Sequence, residues 1–309
     1  MNRVAVIGVG RWGRQLLRVL SGRCHVPVCC HQGDPAARAW LAEQYPRVRL
    51  TADYAEVLRD ATLDAVVIAT PIATHATLAR QALEAGKHVF VEKPLATSSA
   101  EARRLEATAK ARGRALFVGH IFLHHPILER LRRRLADDPA RYASMTWLKL
   151  GTFEEELFWN LLTHEVAIAA ALFGAEVSGA EVLHERGLVT GCDLATVRLQ
   201  FPGDRECLIH VDRCHPAAAK HLTVVTEGGQ VLYWDGPALS RFGAGQVVER
   251  IEWADEEPLA RELDAFLRRL ATGTDGEPGL VCGSLVVDLV ERLLTARARS
   301  CVAMHGPPR

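Results

Sequence analysis

The chain has 309 residues, of which 49% are hydrophobic, with 37 basic and 37 acidic residues and a formal net charge of zero. A chain of this length can bury a large core and is expected to form two domains. The balanced charge gives no electrostatic footprint for nucleic acid or an anionic membrane, and no apolar run reaches the roughly 20 residues that span a bilayer. Because Met1–Val4 offers no secretory signal, we expect the eight cysteines to be reduced and the protein to be soluble and cytoplasmic.

The N-terminus carries a pattern that is typical of dinucleotide binding. Val4–Ile7 has the composition of a buried strand, Gly8-Val9-Gly10-Arg11-Trp12-Gly13 is a G-x-G-x-x-G turn, and Arg14–Leu20 has a helical pattern. The first glycine makes the tight turn, the second admits the pyrophosphate, and the third lets helix and strand pack closely. The diphosphate then meets the amides of the helix N-terminus. The predicted cofactor-binding residues here are Gly8, Gly10, Arg11, Trp12 and Gly13.

The end of the second strand, His25–Cys30, bears on the choice of cofactor. A ribose-reading carboxylate commonly stands there, but the chain continues as His31-Gln32-Gly33, and Asp34 arrives late. A carboxylate near a 2′-phosphate would cost roughly 1–4 kcal/mol, so its absence permits NADP. His31, with Arg38, can favour the extra phosphate. We predict NADP or NAD with a slight preference for NADP, and no metal, because the nearby Cys and His residues match no zinc template.

Strands and helices continue to alternate up to about His120, which predicts a doubly wound parallel sheet of six strands. The further predicted strands lie at Val48–Leu50, Asp64–Pro71, Val89–Val91 and Ala115–Gly119. The helices between them are predicted at Ala36–Gln44, from Asp53, at Thr74–Ala85 and at Ser99–Arg112. Residues 1–122 are therefore predicted to form a dinucleotide-binding Rossmann domain.

One strand of this sheet ends in Glu92-Lys93-Pro94, after the buried run Val89-Phe90-Val91. The carboxyl ends of the strands line the ligand crevice of an open α/β sheet, so Lys93 is expected in that crevice. The strand before it stops at a proline on the same edge. The predicted cofactor-binding residues along this edge are Thr70, Pro71, His75, Glu92 and Lys93.

Residues 123–309 are predicted to form a second, α+β domain for substrate binding and oligomerisation. Its strands are expected at Ala143–Lys149, Val177–Glu185, Ala195–Gln200, Cys207–Val211, Leu222–Thr226, Val231–Tyr233 and Val247–Ile251. They predict an open, mainly antiparallel sheet covered by helices at Glu156–Phe173, Leu259–Leu270 and Leu280–Ala296. The sheet face that these helices leave uncovered favours a homo-oligomer, a dimer or a tetramer.

The long apolar helix carries Asn160 and His164, which are four residues apart and so share one helix face. His164-Glu165 begins like a zinc-protease H-E-x-x-H, but position 168 is Ile, which excludes that site. Three further histidines, at positions 120, 124 and 125, crowd the domain junction, where pocket polarity is favoured over metal binding. The predicted substrate-binding residues are His120, Trp159, Asn160 and His164.

Several stretches resemble the Gfo/Idh/MocA (glucose–fructose oxidoreductase/inositol dehydrogenase) family. They are Val4–Gly13, Ala69–Pro71 with Thr74-His75, Ala85–Pro94 and the Asn160/His164 helix. Val118–Pro126, Lys220–Thr226 and Glu257–Leu263 look like the family's nucleotide-sugar 3-dehydrogenase branch. The resemblance implies a catalytic Lys, Asp and His, which match Lys93, position 160 and His164. The chain departs from the family at Asn160, where an acid is common, and at Glu165, where Asp is common.

These patterns predict an NAD(P)-dependent oxidoreductase acting on a secondary alcohol or ketone of a sugar, cyclitol or nucleotide sugar. Lys93, His164 and Asn160 are the predicted catalytic residues. Lys93 polarises the reacting oxygen, His164 exchanges the proton, and Asn160 orients a hydroxyl because an amide carries no proton. Two alternatives stay open: reduction of another C=O or C=N group, and a catalytically silent cofactor-sensing regulator. Free and nucleotide-linked sugars also remain open as substrates.

Overall fold

A computed structural model describes residues 2–32, 34–252, 257–272 and 283–305, with backbone alone for 271, 272 and 298–305. The chain divides into two compact units, which are described separately. Unit 1 comprises Met1–Ile121 and Glu257–Val287, and unit 2 comprises Phe122–Glu256 and Asp288–Arg309. The predicted division after residue 122 kept 123–309 together, whereas in the structure Glu257–Val287 groups with the N-terminal residues.

Unit 1 contains a sheet of six parallel strands in the order β3-β2-β1-β4-β5-β6. The strands are β1 Arg3–Ile7, β2 His25–Cys30, β3 Arg49–Thr51, β4 Ala65–Ile68, β5 His88–Glu92 and β6 Leu116–Gly119. The intervening helices are α1 Arg11–Ser21, α2 Pro35–Gln44, α3 Tyr54–Arg59, α4 His75–Glu84 and α5 Ser99–Arg112. The predicted doubly wound parallel sheet is confirmed. Strand order reverses between β1 and β4, and ligands of such sheets bind in the crevice at that reversal.

Helix α8 (Pro258–Thr272) completes the core of unit 1. Its residue Phe266 makes edge-on ring contacts with Phe90 of β5 and Phe117 of β6, at centroid distances of 5.5 and 5.9 Å. All three rings are at most 4% exposed. A helix that lies some 140 residues beyond the sheet in sequence therefore covers one of its faces.

Unit 2 contains a sheet of eight strands in the order β14-β13-β12-β11-β7-β10-β9-β8. Its strands are β7 Ala140–Leu148, β8 Gly179–Arg186, β9 Leu194–Phe201, β10 Arg205–Asp212, β11 Ala219–Thr226, β12 Val231–Asp235, β13 Ala238–Gly243 and β14 Gln246–Glu252. Only β7 and β10 pair in parallel, so the predicted mainly antiparallel sheet is confirmed. The prediction lacked β13, whose sequence has no β-branched residue.

Alternate residues of the central strands are buried, which is the pattern of a sheet with one covered face. Helix α7 (Thr163–Phe173) packs on β7 and β10, and α6 (Pro126–Leu135) packs on α7. The last helix, α9 (Gly283–His305), begins in unit 1 and continues in unit 2. Residues 280–282 of the predicted final helix lie outside the described residues.

The predicted helix Glu156–Phe173 is not one regular α-helix. Phe158–Leu162 forms a π-helical turn, and the α-helix begins at Thr163. The Thr163 hydroxyl lies 3.0 Å from the Phe158 carbonyl oxygen and 2.9 Å from that of Trp159. A side chain inserted into the hydrogen-bond ladder widens the turn, and such π-turns are frequent at functional sites.

The six cysteines whose side chains are described are free thiols, and five of them are buried. Burial raises the pKa of Cys29 to about 12, so this thiol is protonated and unreactive at neutral pH. Cys282 and the side chain of Cys301 lie outside the described residues. Among the described residues, no helix is long and apolar enough to cross a membrane.

Candidate dinucleotide site and candidate catalytic residues

The turn between β1 and α1 shows which glycines the protein itself requires. A Cβ on Gly8, whose φ is +94°, would lie 2.3 Å from the Ala69 carbonyl oxygen. A Cβ on Gly13 would lie 2.0 Å from the Gly8 carbonyl oxygen. A Cβ on Gly10 would meet nothing within 4 Å. The close packing of the turn therefore demands Gly8 and Gly13, and the space beside Gly10 is open for a ligand to approach the backbone.

Helix α1 begins directly after Gly10, which is its N-cap and provides no side-chain cap. The first amides of the helix have no intrahelical acceptor, and its first turn contains no acidic residue. Arg11 and Trp12, at the start of this turn, are exposed. The free amides of the first turn, the positive end of the helix dipole and the lack of an acidic residue in that turn together suit a diphosphate. These residues therefore fit a dinucleotide.

His31 follows β2 and contacts the same glycine turn. Its Nδ1 accepts a hydrogen bond from the Val9 amide at 3.3 Å. In the tautomer that this bond assigns, Nε2 carries the proton, and this buried atom has no partner among the described residues. Asp34, the late carboxylate, caps α2 by accepting from the Ala36 amide at 2.9 Å. The residue next to the β2 end is thus a hydrogen-bond donor, and the neighbouring acid has a structural role.

The β4 end contains Thr70, Pro71 and His75. The His75 side chain is 1% exposed, with Nε2 2.8 Å from the Thr70 carbonyl oxygen and Nδ1 2.8 Å from that of Pro94. The Thr70 hydroxyl lies 2.7 Å from that of Thr74. Because both carbonyl oxygens lie within hydrogen-bond distance of the ring, whose N–H donor depends on the tautomer, His75 links the residues after β4 to those after β5. The cofactor contact that the sequence predicts for His75 stays a prediction.

The β5 end brings Glu92 and Lys93 to the glycine turn. The Trp12 indole N–H donates to the Glu92 carboxylate, which is 8% exposed. Burial raises the pKa of Glu92 to about 7, although the Trp12 bond and the charge of Lys93 both act to lower it. Lys93 follows directly and is joined to Pro94 by a cis peptide bond. The structure therefore links three predicted cofactor-binding positions: the turn residue Trp12, Glu92 and the adjacent Lys93.

A second acid, Glu262 of α8, has no role in the sequence prediction. It is 0% exposed, and neither carboxyl oxygen has a hydrogen-bond partner among the described residues. Burial, and then the charge of Glu92, raises the pKa of Glu262 well above its ordinary value. Glu262 stood in a stretch that carried the family resemblance, but no local pattern indicates that it faces Glu92.

In unit 2, Trp159 and Asn160 lie in the π-turn, and His164 lies in the first turn of α7. Asn160 is 9% exposed, and Trp159 and His164 are half-buried. The Glu156 carboxylate accepts from the amides of Phe158 and Trp159, at 2.7 and 3.1 Å, and so caps the start of the turn. Asn160 therefore lies within the widened π-turn, and His164 lies just after it.

The His164 imidazole packs against two aromatic rings. It is edge-on to Phe122 at 5.1 Å and to Trp147 at 5.4 Å between ring centroids. The Lys220 ammonium lies over the same two rings, 4.0 and 3.9 Å from their centroids, and pairs with Glu165. The sequence prediction assigned no role to Lys220.

The three histidines of the predicted group divide between the two units, with His120 in unit 1 and His124 and His125 in unit 2. His120 is 3% exposed and follows β6 in unit 1. His125 belongs to unit 2, where Nδ1 accepts from the Ile127 amide at 3.2 Å and the ring packs on Trp234 at 4.7 Å. Within the described residues, no group of three or more His, Cys, Asp or Glu side chains is arranged to hold a metal ion.

A buried ion pair supports the segment that precedes the π-turn. Arg213 donates to Asp193 at 3.0 Å and to the carbonyls of Thr152 and Glu155 at 3.0 and 2.5 Å. Arg213 and Asp193 are 2% and 0% exposed. Burial alone would raise the pKa of Asp193, but hydrogen bonds from Thr190 and neighbouring amides hold it well below its ordinary value. This network anchors residues 152–155, which precede the π-turn that contains Asn160.

The fold and these residues define a class: a Rossmann protein with a dinucleotide-binding turn and a second unit built on a mixed sheet. Residues 2–120 match the model of an oxidoreductase family with an NAD-binding Rossmann fold, GFO_IDH_MocA. Over these residues the chain therefore matches the Gfo/Idh/MocA oxidoreductase family.

Relatives of known name extend the similarity beyond the Rossmann unit. The chain is 27% identical to the UDP-N-acetylglucosamine 3-dehydrogenase of Acidithiobacillus ferrooxidans, over 87% of this chain and 88% of that protein. The solved structure of that enzyme superposes with a TM-score of 0.86 and 25% identity, over 95% of this chain and 97% of that one. The uncharacterized oxidoreductase YdgJ of Escherichia coli is 28% identical, over 68% of this chain and 65% of that protein.

Proposed function

We propose that the protein transfers a hydride between a nicotinamide and a secondary alcohol or ketone of a sugar, cyclitol or nucleotide sugar. The observation that carries the proposal is the bond between Trp12 and Glu92, which ties the strand end bearing Lys93 to the glycine turn. A cation held beside a dinucleotide turn is suited to polarise an oxygen at the reacting carbon.

The chemistry needs two acceptors. Oxidising a carbinol removes a hydride from carbon and a proton from oxygen, and the nicotinamide supplies the hydride acceptor. In our proposal, Lys93 donates a hydrogen bond to the reacting oxygen and His164 accepts the proton, a contribution of about 10²–10⁴-fold. Asn160 orients a neighbouring hydroxyl, and His120 and Trp159 are proposed to contact the substrate.

The similarity to a UDP-N-acetylglucosamine 3-dehydrogenase over 87% of the chain supports a nucleotide sugar as the first substrate to examine. Free sugars and cyclitols stay within the proposal. Asn160 favours the alternative of a catalytically silent cofactor sensor, because an amide cannot relay a proton. Hydride exchange between reduced cofactor and any substrate of the panel would remove that alternative. Turnover of other C=O or C=N compounds alone would instead support the second alternative, a reductase of a different carbonyl or imine substrate.

We propose NADP as the slightly preferred cofactor. His31 presents an N–H donor after β2, and the nearby Asp34 is engaged in capping a helix, and both observations support the preference. Fluorescence titration is expected to show tighter binding of NADPH than of NADH. The opposite order would overturn the preference.

Oligomerisation through the second sheet remains a proposal as well. Alternate residues of β9, β10 and β11 are only half-buried on the face opposite to the buried one, which is suited to a second copy of the chain. Sedimentation is expected to report a dimer or a tetramer, and a monomer at micromolar concentration would contradict it. The cytoplasm stays the predicted location.

The role assignment is tested with Lys93→Met and His164→Ala. Each is expected to lower kcat by at least about 100-fold, because each removes a group that acts in the transition state. Turnover is followed by NADPH absorbance with UDP-N-acetylglucosamine, free hexoses and cyclitols, in both directions. Lys110→Met and His184→Ala, at exposed positions, are the matched controls. Full activity in either Lys93 or His164 variant would refute its role.

A further inference from the structure

Lys220 is a largely buried cation that the proposed chemistry leaves unused. Its side chain is 18% exposed, and its partner Glu165 is 2% exposed. Burial lowers the pKa of Lys220, while the charge and hydrogen bond of Glu165 act to raise it. Burying such a pair requires compensating contacts, so the surroundings of Lys220 are informative.

Strand register explains why Lys220 meets Trp147. In the antiparallel pair of β11 and β7, Lys220 stands directly opposite Trp147. Opposite residues project from the same sheet face, so the ammonium reaches across the strands to the indole. A centroid distance of 3.9 Å is well within the range of a cation–π contact, and the Phe122 ring provides a second one at 4.0 Å.

Helix α7 packs on β7 and carries the other two members of this group. His164 and Glu165 are consecutive, so their side chains leave the helix about 100° apart. His164 turns to the rings of Trp147 and Phe122, and Glu165 turns to the ammonium. One cation and one imidazole thus contact the same two rings, and the cation is tied to the residue that follows the imidazole.

We propose that Lys220 is a positioning residue for His164. The Lys220–Glu165 pair holds the rings of Trp147 and Phe122, and these rings fix the orientation of the His164 imidazole. This inference rests on the proposed proton-exchange role of His164 for its effect on catalysis, but not for its effect on geometry. It also explains the acid at position 165, since that carboxylate is the counter-charge that lets Lys220 remain between the sheet and α7.

The geometric part is tested without any substrate. Histidine-labelled protein gives an imidazole NMR signal for His164, assigned as the signal missing from His164→Ala, and its chemical shift reports the two neighbouring rings. Lys220→Met is expected to move or broaden this signal, and Lys220→Arg to restore it, because arginine keeps the cation–π contacts and the pairing with Glu165. An unmoved His164 signal in Lys220→Met would overturn the inference.

Lys149→Met is the matched control. Lys149 also lies over Trp147, but at 5.9 Å, and no ion pair with Glu165 holds it. The His164 signal is expected to keep its position in this variant. Circular dichroism at the assay temperature shows whether each variant is folded, and if Lys220→Met is not, Glu165→Gln replaces it with the same expected shift.

The catalytic part uses the best substrate of the panel with NADP(H). Lys220→Met is expected to lower kcat by about 10- to 100-fold with KM nearly constant, because a misplaced proton acceptor harms the chemical step. In a His164→Ala background, Lys220→Met is expected to cause no further loss. Additive losses in the double variant would contradict positioning through His164. Full activity of His164→Ala would instead remove the proposed function of His164 and leave the NMR result standing.

Discussion

Two buried acidic residues, one in each unit, have opposite charged neighbours. Glu92, at the β5 end of unit 1, has a second acid, Glu262, as its charged neighbour besides Lys93. Glu165, in the first turn of α7 in unit 2, is paired with Lys220. Burial raises the pKa of both carboxyl groups in unit 1, and the charge of Glu92 raises that of Glu262 further, whereas the pair in unit 2 brings opposite charges together.

This difference shows two ways of placing an ionisable group in a core. Where burial outweighs a neighbouring cation, as at Glu92 beside Lys93, the raised pKa makes the charge of the carboxyl group depend on pH near neutrality. A buried carboxylate with a cation keeps its charge, but the loss of either partner leaves the other charge uncompensated. We therefore expect the stability of unit 1 to depend on pH, and the stability of unit 2 to be sensitive to substitution of either partner of a buried ion pair.

The largest expected effect is the loss of a fully buried cation in unit 2. Arg213→Met leaves Asp193 without its cation and is expected to lower the free energy of unfolding by about 3–5 kcal/mol. Urea unfolding followed by circular dichroism measures it. Arg198→Met, at a partly exposed pair with Glu181, is the control and is expected to cost no more than about 1 kcal/mol. Equal losses of unfolding free energy in the two variants would contradict the expected difference between a buried and a partly exposed ion pair.

A somewhat smaller effect is expected from pH in unit 1. The folded state raises the pKa of Glu92 from 4.5 to about 7, so it holds this proton more tightly than the unfolded state. Stability from this group is complete below pH 4.5 and is lost as pH rises toward 7, by about 3 kcal/mol in total. Glu92→Gln is expected to flatten that part of the stability curve, measured by urea unfolding at a series of pH values. An unchanged slope would show that Glu92 is not the titrating group.

Glu262→Gln provides the smallest effect and a control for the pH result. If Glu262 is already uncharged, an amide of similar size is expected to change stability at pH 7 by less than about 1 kcal/mol. Glu165→Gln, the corresponding change in unit 2, breaks an ion pair and is expected to cost more. A larger loss for Glu262→Gln would mean that this acid is ionised in the folded protein.

The sequence predicts the sheet of unit 1 well, because buried runs rich in β-branched residues stop at Gly8, Pro71 and Pro94 and leave little freedom in the strand bounds. It fails at β13, Ala238–Gly243, whose small and polar residues resemble a loop. The π-turn also escapes prediction, because it depends on the contact of the Thr163 hydroxyl with two carbonyls. Hydrophobic periodicity alone contains no sign of that contact.

The residues of the candidate site also fall into those that the sequence predicts and those that it does not. The G-x-G-x-x-G turn and Lys93 are local patterns, and the structure gives Gly8 and Gly13 a steric reason. Lys220 is different, because only the pairing of β11 with β7 brings it opposite Trp147. Glu262 likewise depends on α8 returning to the first sheet. Residues whose roles come from strand register or from a distant helix cannot be found by reading neighbours along the chain.

The π-turn at Phe158–Leu162 amounts to one extra residue in a helix that otherwise has α spacing. Deleting a single residue from it would let the helix run on as a regular α-helix. If the deleted residue is Leu161 or Leu162, everything before it, including the side chain of Asn160, would then rotate by about 100° relative to His164. The relative orientation of the two polar groups is thus set by the number of residues between them, and an insertion or deletion at this point would change how Asn160 and His164 could act together without any change of side-chain chemistry.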